Sequence, residues 1–417
     1  MLLIDLIKKL DIIVSLSYLK GNVITDKEKI NYNKKKKTNN QKHTHTHTQL
    51  TFIMTSDVSR FPLWFMNQYP KALDYLSVAS HPSENILVKA DVTLDQRSII
   101  QGTPDGILAL IAPVVAYWGL SLFFHIIDVY ELAEYYRIHP SEEERKRNRA
   151  SRMQVLLEVI FQHFIQSVVG YIFYIYEDCV PKTFTQIYEE IWSWKYQSVV
   201  FTPLNQFLPD WFYLFWYSYG ISFLKVFAGF VIIDSWQYWL HRLMHQNKTL
   251  YKLFHSRHHA LYVPYAYGAL FNQPVEGFLL DTLGTGIAML ITQLSPKEQV
   301  VLYTFATMKT VDDHCGYSLP FDIFQIIFPN NSVYHDIHHQ NWGIKSNFSQ
   351  PFFIAWDTFC GTEYPGYEDY RKGVQKVSIE KYKQFLEERK QKKLLKKSKD
   401  ESSSSSSEDS DEEKKTK

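Results

Sequence analysis

Apolar positions along this chain collect into long runs, and the charges gather in a few loops and at both ends. The run Ile107–Ile127 carries no formally charged residue. It meets the ~20 residues that a hydrocarbon core of ~30 Å requires, with a kink expected at Pro113. A second run covers Val159–Tyr176, and a third starts near Trp211 and continues to His241. Shorter apolar pieces, Phe278–Leu294 and Val300–Met308, are expected to form a shallow or re-entrant hairpin, the first interrupted by Asp281.

The loop between the first two runs holds Arg145, Lys146, Arg147, Arg149 and Arg152, whereas Glu177 to Asp210 has only Lys182 and Lys195 as bases. By the positive-inside bias the first loop is expected in the cytosol and the second in the lumen. Arg242, Lys248, Lys252 and Arg257 follow the third run and predict a cytosolic end there. Lys225, inside that run, has to face protein or snorkel. The sequons at Asn247, Asn330 and Asn347 then fall on the cytosolic side and are expected to be unglycosylated.

Where the third run ends, polarity changes its spacing. Asp234, Tyr238, His241 and His245 follow at steps of four, three and four, a single stripe on one helix. Beyond it come His255, His258 and His259, a lone His314, and His335, His338 and His339, so residues 241–339 hold nine of the sixteen histidines. Residues three and four apart share a helix face, so each cluster is expected to aim two or three imidazoles at one point. Imidazole suits iron, zinc, copper or nickel, and nine nitrogens exceed what one ion takes; two metals are expected. His241-Arg-Leu-Met-His245 contains no glutamate, so a zinc-protease reading lacks its general base.

Composition narrows this further. A net charge of +1 gives no case for a nucleic-acid partner. Cys179, Cys315 and Cys360 are odd in number and show no C-x-x-C spacing, so neither a disulfide framework nor a thiolate zinc site is expected. Cys315, although beside His314, reads as a small buried thiol. Asp312, Asp313 and Asp336 adjoin histidines and are expected to orient imidazoles. Glu276 and Asn272 are candidates for contacting a polar substrate head, and the aromatic Tyr262–Phe271 segment is a candidate lining for the mouth of an apolar tunnel.

The first 53 residues open with a mildly apolar stretch broken by Asp5, Lys8, Lys9 and Asp11, and continue into a basic run and the His43–Thr48 repeat. That order does not fit a signal peptide. Residues 1–53 are expected to be a disordered extension or a mis-set start, 54–100 a soluble segment, 101–230 membrane spans, 231–370 the catalytic region and 371–417 a charged, disordered tail. Lys414 and Lys415 occupy the two positions of a dilysine retrieval signal. The fold expected is all-α and integral to the membrane: about four transmembrane or re-entrant helices under a cytosolic, histidine-rich, di-metal helical cap.

With H-x3-H, H-x2-H-H and H-x2-H-H after membrane spans, the chain resembles the fatty acid hydroxylase superfamily. The strings Val263–Gly277, Thr310–Tyr317 and Asn330–Phe353, with Trp356-Asp357 and Gly361-Thr362, are similar to the sphinganine 4-hydroxylase branch. The resemblance implies two iron ions held by the nine histidines, with no catalytic side chain separate from those ligands. It also implies dioxygen as co-substrate and hydroxylation of carbon 4 of a long-chain base or ceramide. Electrons would come from NADPH through cytochrome b5 and its reductase, at the endoplasmic reticulum membrane. His81-Pro82 and His139-Pro140 are each followed by serine, so no fused haem domain of the H-P-G-G type is expected and the cytochrome is a separate protein. A sterol-directed oxidase of the same superfamily and a non-catalytic metal-binding scaffold are the alternatives.

Overall fold

The computed structural model describes residues 62–69, 96–177 and 182–412. The 1–53 extension, most of the 54–100 segment, Cys179 and the Lys414-Lys415 pair lie outside the described residues. Two compact units divide the chain: Met1–Gln96 with Pro181–Leu214, and Arg97–Val180 with Phe215–Lys417. In the first, a single turn, Leu63–Met66, buries Phe65 and Met66. Its helix α4 (Phe184–Gln197) starts with a capping box between Thr183 and Gln186.

The second unit is helical. Among the described residues its β contact is an isolated bridge between Arg137 and Tyr317. Its elements are α1 (Asp105–Val129), α2 (Ser141–Arg147), α3 (Arg152–Tyr176), the larger part of α5 (Asp210–Gln246), α6 (Pro274–Thr292), α7 (Pro296–Asp313), α8 (Ser332–His339), α9 (Ala355–Cys360) and α10 (Tyr367–Glu412). Helices α1, α3, α5 and α6 are long and apolar enough to cross a membrane, and in each apolar window under a third of the residues are buried inside the protein. Side chains such as Val115, Phe164 and Phe223 therefore face outward, where only hydrocarbon satisfies them; this is a membrane protein.

The expected runs correspond to α1, α3 and α5, and the hairpin is two helices, α6 and α7. They turn at Gln293, which adopts a left-handed φ of 53°. Lys225 faces protein, donating to the Gln293 carbonyl at 2.7 Å. At ~1.5 Å per residue the 37 residues of α5 extend ~55 Å. That is nearly twice the ~30 Å hydrocarbon thickness, and the surplus carries His241 and His245 clear of the core. The region from 371, expected to be an unfolded tail, is helical as far as Glu412. As far as residue 400 its lysine, glutamate, glutamine and leucine are strong helix formers.

Packing around the site is built by α7 against α1, by α6 and α7 against α5, and by α1 against α3. The aromatic segment expected to line a tunnel mouth is instead core. Leu261, Tyr265, Tyr267 and Phe271 are buried with Tyr117 and Phe124 of α1 and Val155 and Val159 of α3. Tyr117 donates to the Tyr267 carbonyl at 2.8 Å, which fixes that loop to α1.

Candidate metal centre

All nine histidines converge, and they do so in two groups. His241, His245, His255, His259 and His338 have ligand atoms within 4.8 Å of one another, as do His258, His314, His335 and His339. Each H-x2-H-H cluster therefore serves both groups rather than one point. His255 and His259, four apart, join the first group while His258 joins the second; His335 and His339 join the second while His338 joins the first. Neighbouring residues on a helix point ~100° apart, so adjacent histidines such as His258 and His259 cannot share a centre. The H-x2-H-H at 255–259 is also not one regular α-helix. A π turn, Tyr251–His255, leads into a 3-10 turn, His258–Ala260.

The rings present their Nε2 atoms inward. In the five-histidine group Nε2 of His259 lies 3.1 Å from that of His245, 3.0 Å from that of His255 and 3.1 Å from that of His338. In the four-histidine group His335 is 3.0 Å from His314 and 3.0 Å from His339, and His314 is 3.4 Å from His258. Five of the outward Nδ1 atoms are occupied by backbone carbonyls: Phe348 for His241, Ser346 for His338, Leu261 for His339, Thr310 for His314 and Phe271 for His258. A carbonyl only accepts, so each of those Nδ1 atoms carries the single proton of a neutral imidazole and the Nε2 is a bare lone pair.

His258 and His314 both have Nδ1 committed in this way, yet their Nε2 atoms face each other at 3.4 Å. No hydrogen bond can join two lone pairs, but a cation between them can. With metal–nitrogen bonds of ~2.0–2.1 Å, adjacent ligands stand ~3.0 Å apart in an octahedral set and ~3.4 Å in a tetrahedral one, the spacing observed here. The residues thus fit a metal in each group. Burial and the neighbouring imidazoles pull His258 down to about 4 and His314 to about 3, and hold His255, His259, His335, His338 and His339 well below the usual histidine range. The rings are therefore held in the neutral form that ligation needs.

The carboxylates expected to orient imidazoles do other work. Asp313 pairs with the fully buried Lys309. Asp312 accepts from Gln325 at 3.3 Å. Asp336 accepts from Tyr370 at 3.0 Å and Gln340 at 3.2 Å and contacts His139, a histidine outside the nine. The orienting carboxylate is Glu276, which meets His255 Nδ1 and also accepts from Gln273 N. Asn272 is buried beside His258. Glu276 and Asn272 thus adjoin the histidines. Cys315 is buried, its thiol bonded to the Tyr317 backbone.

Sequence reasoning missed two clamps on the loop 346–353, which supplies carbonyls to His241 and His338. Asp357, wholly buried, accepts from Phe348 N at 3.0 Å, Ser349 N at 2.8 Å, Tyr334 OH at 2.9 Å and Thr362 OH at 2.7 Å. Asp234, on the α5 stripe, accepts from Phe352 N at 3.0 Å and Phe353 N at 2.6 Å. A carboxylate on an apolar helix was the only sign of the second.

Residues 226–362 match the family model described as Fatty acid hydroxylase. The chain is 57% identical over 329 residues to the sphingolipid C4-hydroxylase SUR2 of Saccharomyces cerevisiae, covering 79% of this chain and 89% of that protein. It is 44% identical over 265 residues to the sphingolipid C4-hydroxylase sur2 of Schizosaccharomyces pombe, covering 62% of this chain and 88% of that one. With the sphinganine C4-monooxygenase 1 of Arabidopsis thaliana it shares 42% over 262 residues, 63% of this chain and 88% of the relative. No solved structure matches the chain. Two buried groups of neutral imidazoles, lone pairs turned inward at the end of a membrane helix, accord with these likenesses, and the chain belongs to the fatty acid hydroxylase family, in its sphingolipid C4-hydroxylase branch.

Proposed function

We propose that this protein is a membrane di-iron monooxygenase that hydroxylates carbon 4 of sphinganine or dihydroceramide. The observation that carries the reading is the division of nine inward-facing histidines into two groups, in a chain whose relatives are named sphingolipid C4-hydroxylases. His241, His245, His255, His259 and His338 would hold one iron, and His258, His314, His335 and His339 the other. When bound, the irons supply the activation of dioxygen that breaking an unactivated C–H bond demands and no side chain provides.

The protein's own contribution is position, protonation and dryness. The five backbone carbonyls fix tautomer and ring direction, so the lone pairs are already aligned before a metal arrives. Glu276 gives His255 a carboxylate partner and raises the basicity of that ring. Eight of the nine rings are buried, which keeps bulk water from the reacting carbon.

The active site faces the cytosol in this reading. Arg242, Lys248, Lys252 and Arg257 beside the histidine end of α5 support that side. Electrons would be supplied from NADPH by a separate cytochrome b5 and its reductase, at the endoplasmic reticulum membrane. Lipid mass spectrometry of cells lacking this gene, before and after restoring it, tests the proposal. Loss and return of 4-hydroxylated long-chain bases is expected, and an unchanged profile overturns it.

A further inference from the structure

In a long-chain base the amine nitrogen stands three bonds from carbon 4, ~4 Å away. Whatever holds the amine must therefore line the same space as the histidines. A cavity of about 20 Å³, room for one water-sized polar group, is lined by His258, His314 and His335 of the four-histidine group and by His255 of the other. Its remaining polar walls include Glu276, Asn272, Asp313 and Asp281. Three of these have assigned neighbours: Glu276 meets His255, Asn272 lies beside His258, and Asp313 is neutralised by Lys309.

Asp281 is different. Gln237 donates to its Oδ1 at 3.1 Å; its Oδ2, like that of Asp313, is shielded from solvent with no hydrogen-bond partner among the described residues, but unlike Asp313 it forms no ion pair with any of them. It lies in the π turn Phe278–Thr282 that interrupts α6, a helix long and apolar enough to cross the membrane. π turns of this kind occur most often at functional sites. An uncompensated carboxylate in such a place is costly, and a bound cation offsets that cost.

On the reading that this site hydroxylates long-chain bases, we infer that Asp281 Oδ2 receives the protonated amine of the free base. The carboxylate sets the distance from the amine to the histidines and so presents carbon 4 to them. It also favours the free base over its N-acylated form, whose amide nitrogen carries no charge.

The test uses the full chain in lipid nanodiscs. Equilibrium binding of tritiated sphinganine and of N-acetylsphinganine is measured on metal-depleted protein, and turnover of both on iron-loaded protein. Wild type is expected to bind sphinganine at least tenfold more tightly; equal binding of the two ligands overturns the inference without any variant. Asp281→Asn keeps the acceptor for Gln237 but removes the charge. It is expected to lose tenfold or more in sphinganine affinity and kcat/KM while N-acetylsphinganine stays within twofold. Asp281→Glu is expected to restore part of the preference. A parallel loss for both ligands, or no loss for either, also overturns the inference. If wild type hydroxylates neither ligand the proposed activity itself fails, and the binding arm still decides whether Asp281 holds an amine.

Discussion

Asp357 accepts four hydrogen bonds, two of them from the backbone of the loop whose Phe348 carbonyl orients His241 and whose Ser346 carbonyl orients His338. Asp357→Asn nearly preserves the shape, but whichever way the amide turns, its NH₂ faces either Phe348 N–H or Ser349 N–H. The hydroxyl on that side, Thr362 or Tyr334, can turn to accept from the NH₂, but the backbone N–H cannot, so one charge-assisted backbone bond is lost outright, about 1.5–3 kcal/mol. That is below the ~5–15 kcal/mol of a typical domain, so the variant is expected to fold. Removing an outer partner of a metal ligand lowers affinity ~10–100-fold, about 1.4–2.8 kcal/mol, the same size as the lost bond. Both affected rings belong to the five-histidine group. Iron per chain, measured after dialysis against graded chelator, should therefore fall from about two towards one in the variant at chelator levels that wild type resists. The exposed Asp369→Asn serves as control and should follow wild type. Simultaneous release of both irons, or release identical to wild type, would refute the reasoning that the loop tunes one group separately.

Other perturbations follow from the same geometry. His335→Ala or His258→Ala should abolish 4-hydroxylated bases while leaving the protein in the membrane, as lipid mass spectrometry and fractionation would show; normal product removes that residue from the site. The buried imidazoles have folded pKa values depressed below the ~6.5 of the unfolded chain, so the unfolded state binds more protons as pH falls from about 6.5 towards 4. Metal-free protein should lose up to ~1.4 kcal/mol per pH unit for each such ring over that window and nothing from them above it. A thermal midpoint that rises on acidification contradicts this. Gly316 has a φ of 78°, and an added Cβ would meet the Pro264 carbonyl at 2.8 Å. Gly316→Ala should lower stability by ~1–3 kcal/mol, read from the thermal midpoint. Asn330 and Asn347 are buried, their amide nitrogens donating at 2.9 Å to the Ser349 and Tyr334 carbonyls. Endoglycosidase should leave the gel mobility of the native protein unchanged.

Much of this architecture is legible in the residue order because it is local. Apolar runs of membrane length mark α1, α3 and α5, and the stripe Asp234, Tyr238, His241, His245 marks the protein-facing side of α5, where Tyr238 meets Thr362. The nine histidines are equally plain. Their partition is less so: in each H-x2-H-H the outer pair joins one group and the middle histidine the other, in the regular helix α8 as in the turns around 251–260, but which group each pair joins depends on long-range packing that spacing does not reveal. The partners of the imidazoles were harder still. Adjacency suggested Asp312, Asp313 and Asp336, yet the Nδ1 acceptors are mostly carbonyls, which every residue possesses and which no sequence pattern marks. Asp234 reaches residues 118 and 119 positions away, and Glu276 reaches His255 across a turn. Lys309 and Asp313, four apart on α7, could have been found as a pair, but not as a buried one.

In the proposed function each of the two histidine groups holds one iron. Anomalous diffraction at the iron edge, on protein purified without added metal, tests it most directly. Two peaks are expected, one enclosed by His241, His245, His255, His259 and His338 and the other by His258, His314, His335 and His339. A single peak shared by both groups, or a signal only at the zinc edge, would contradict it.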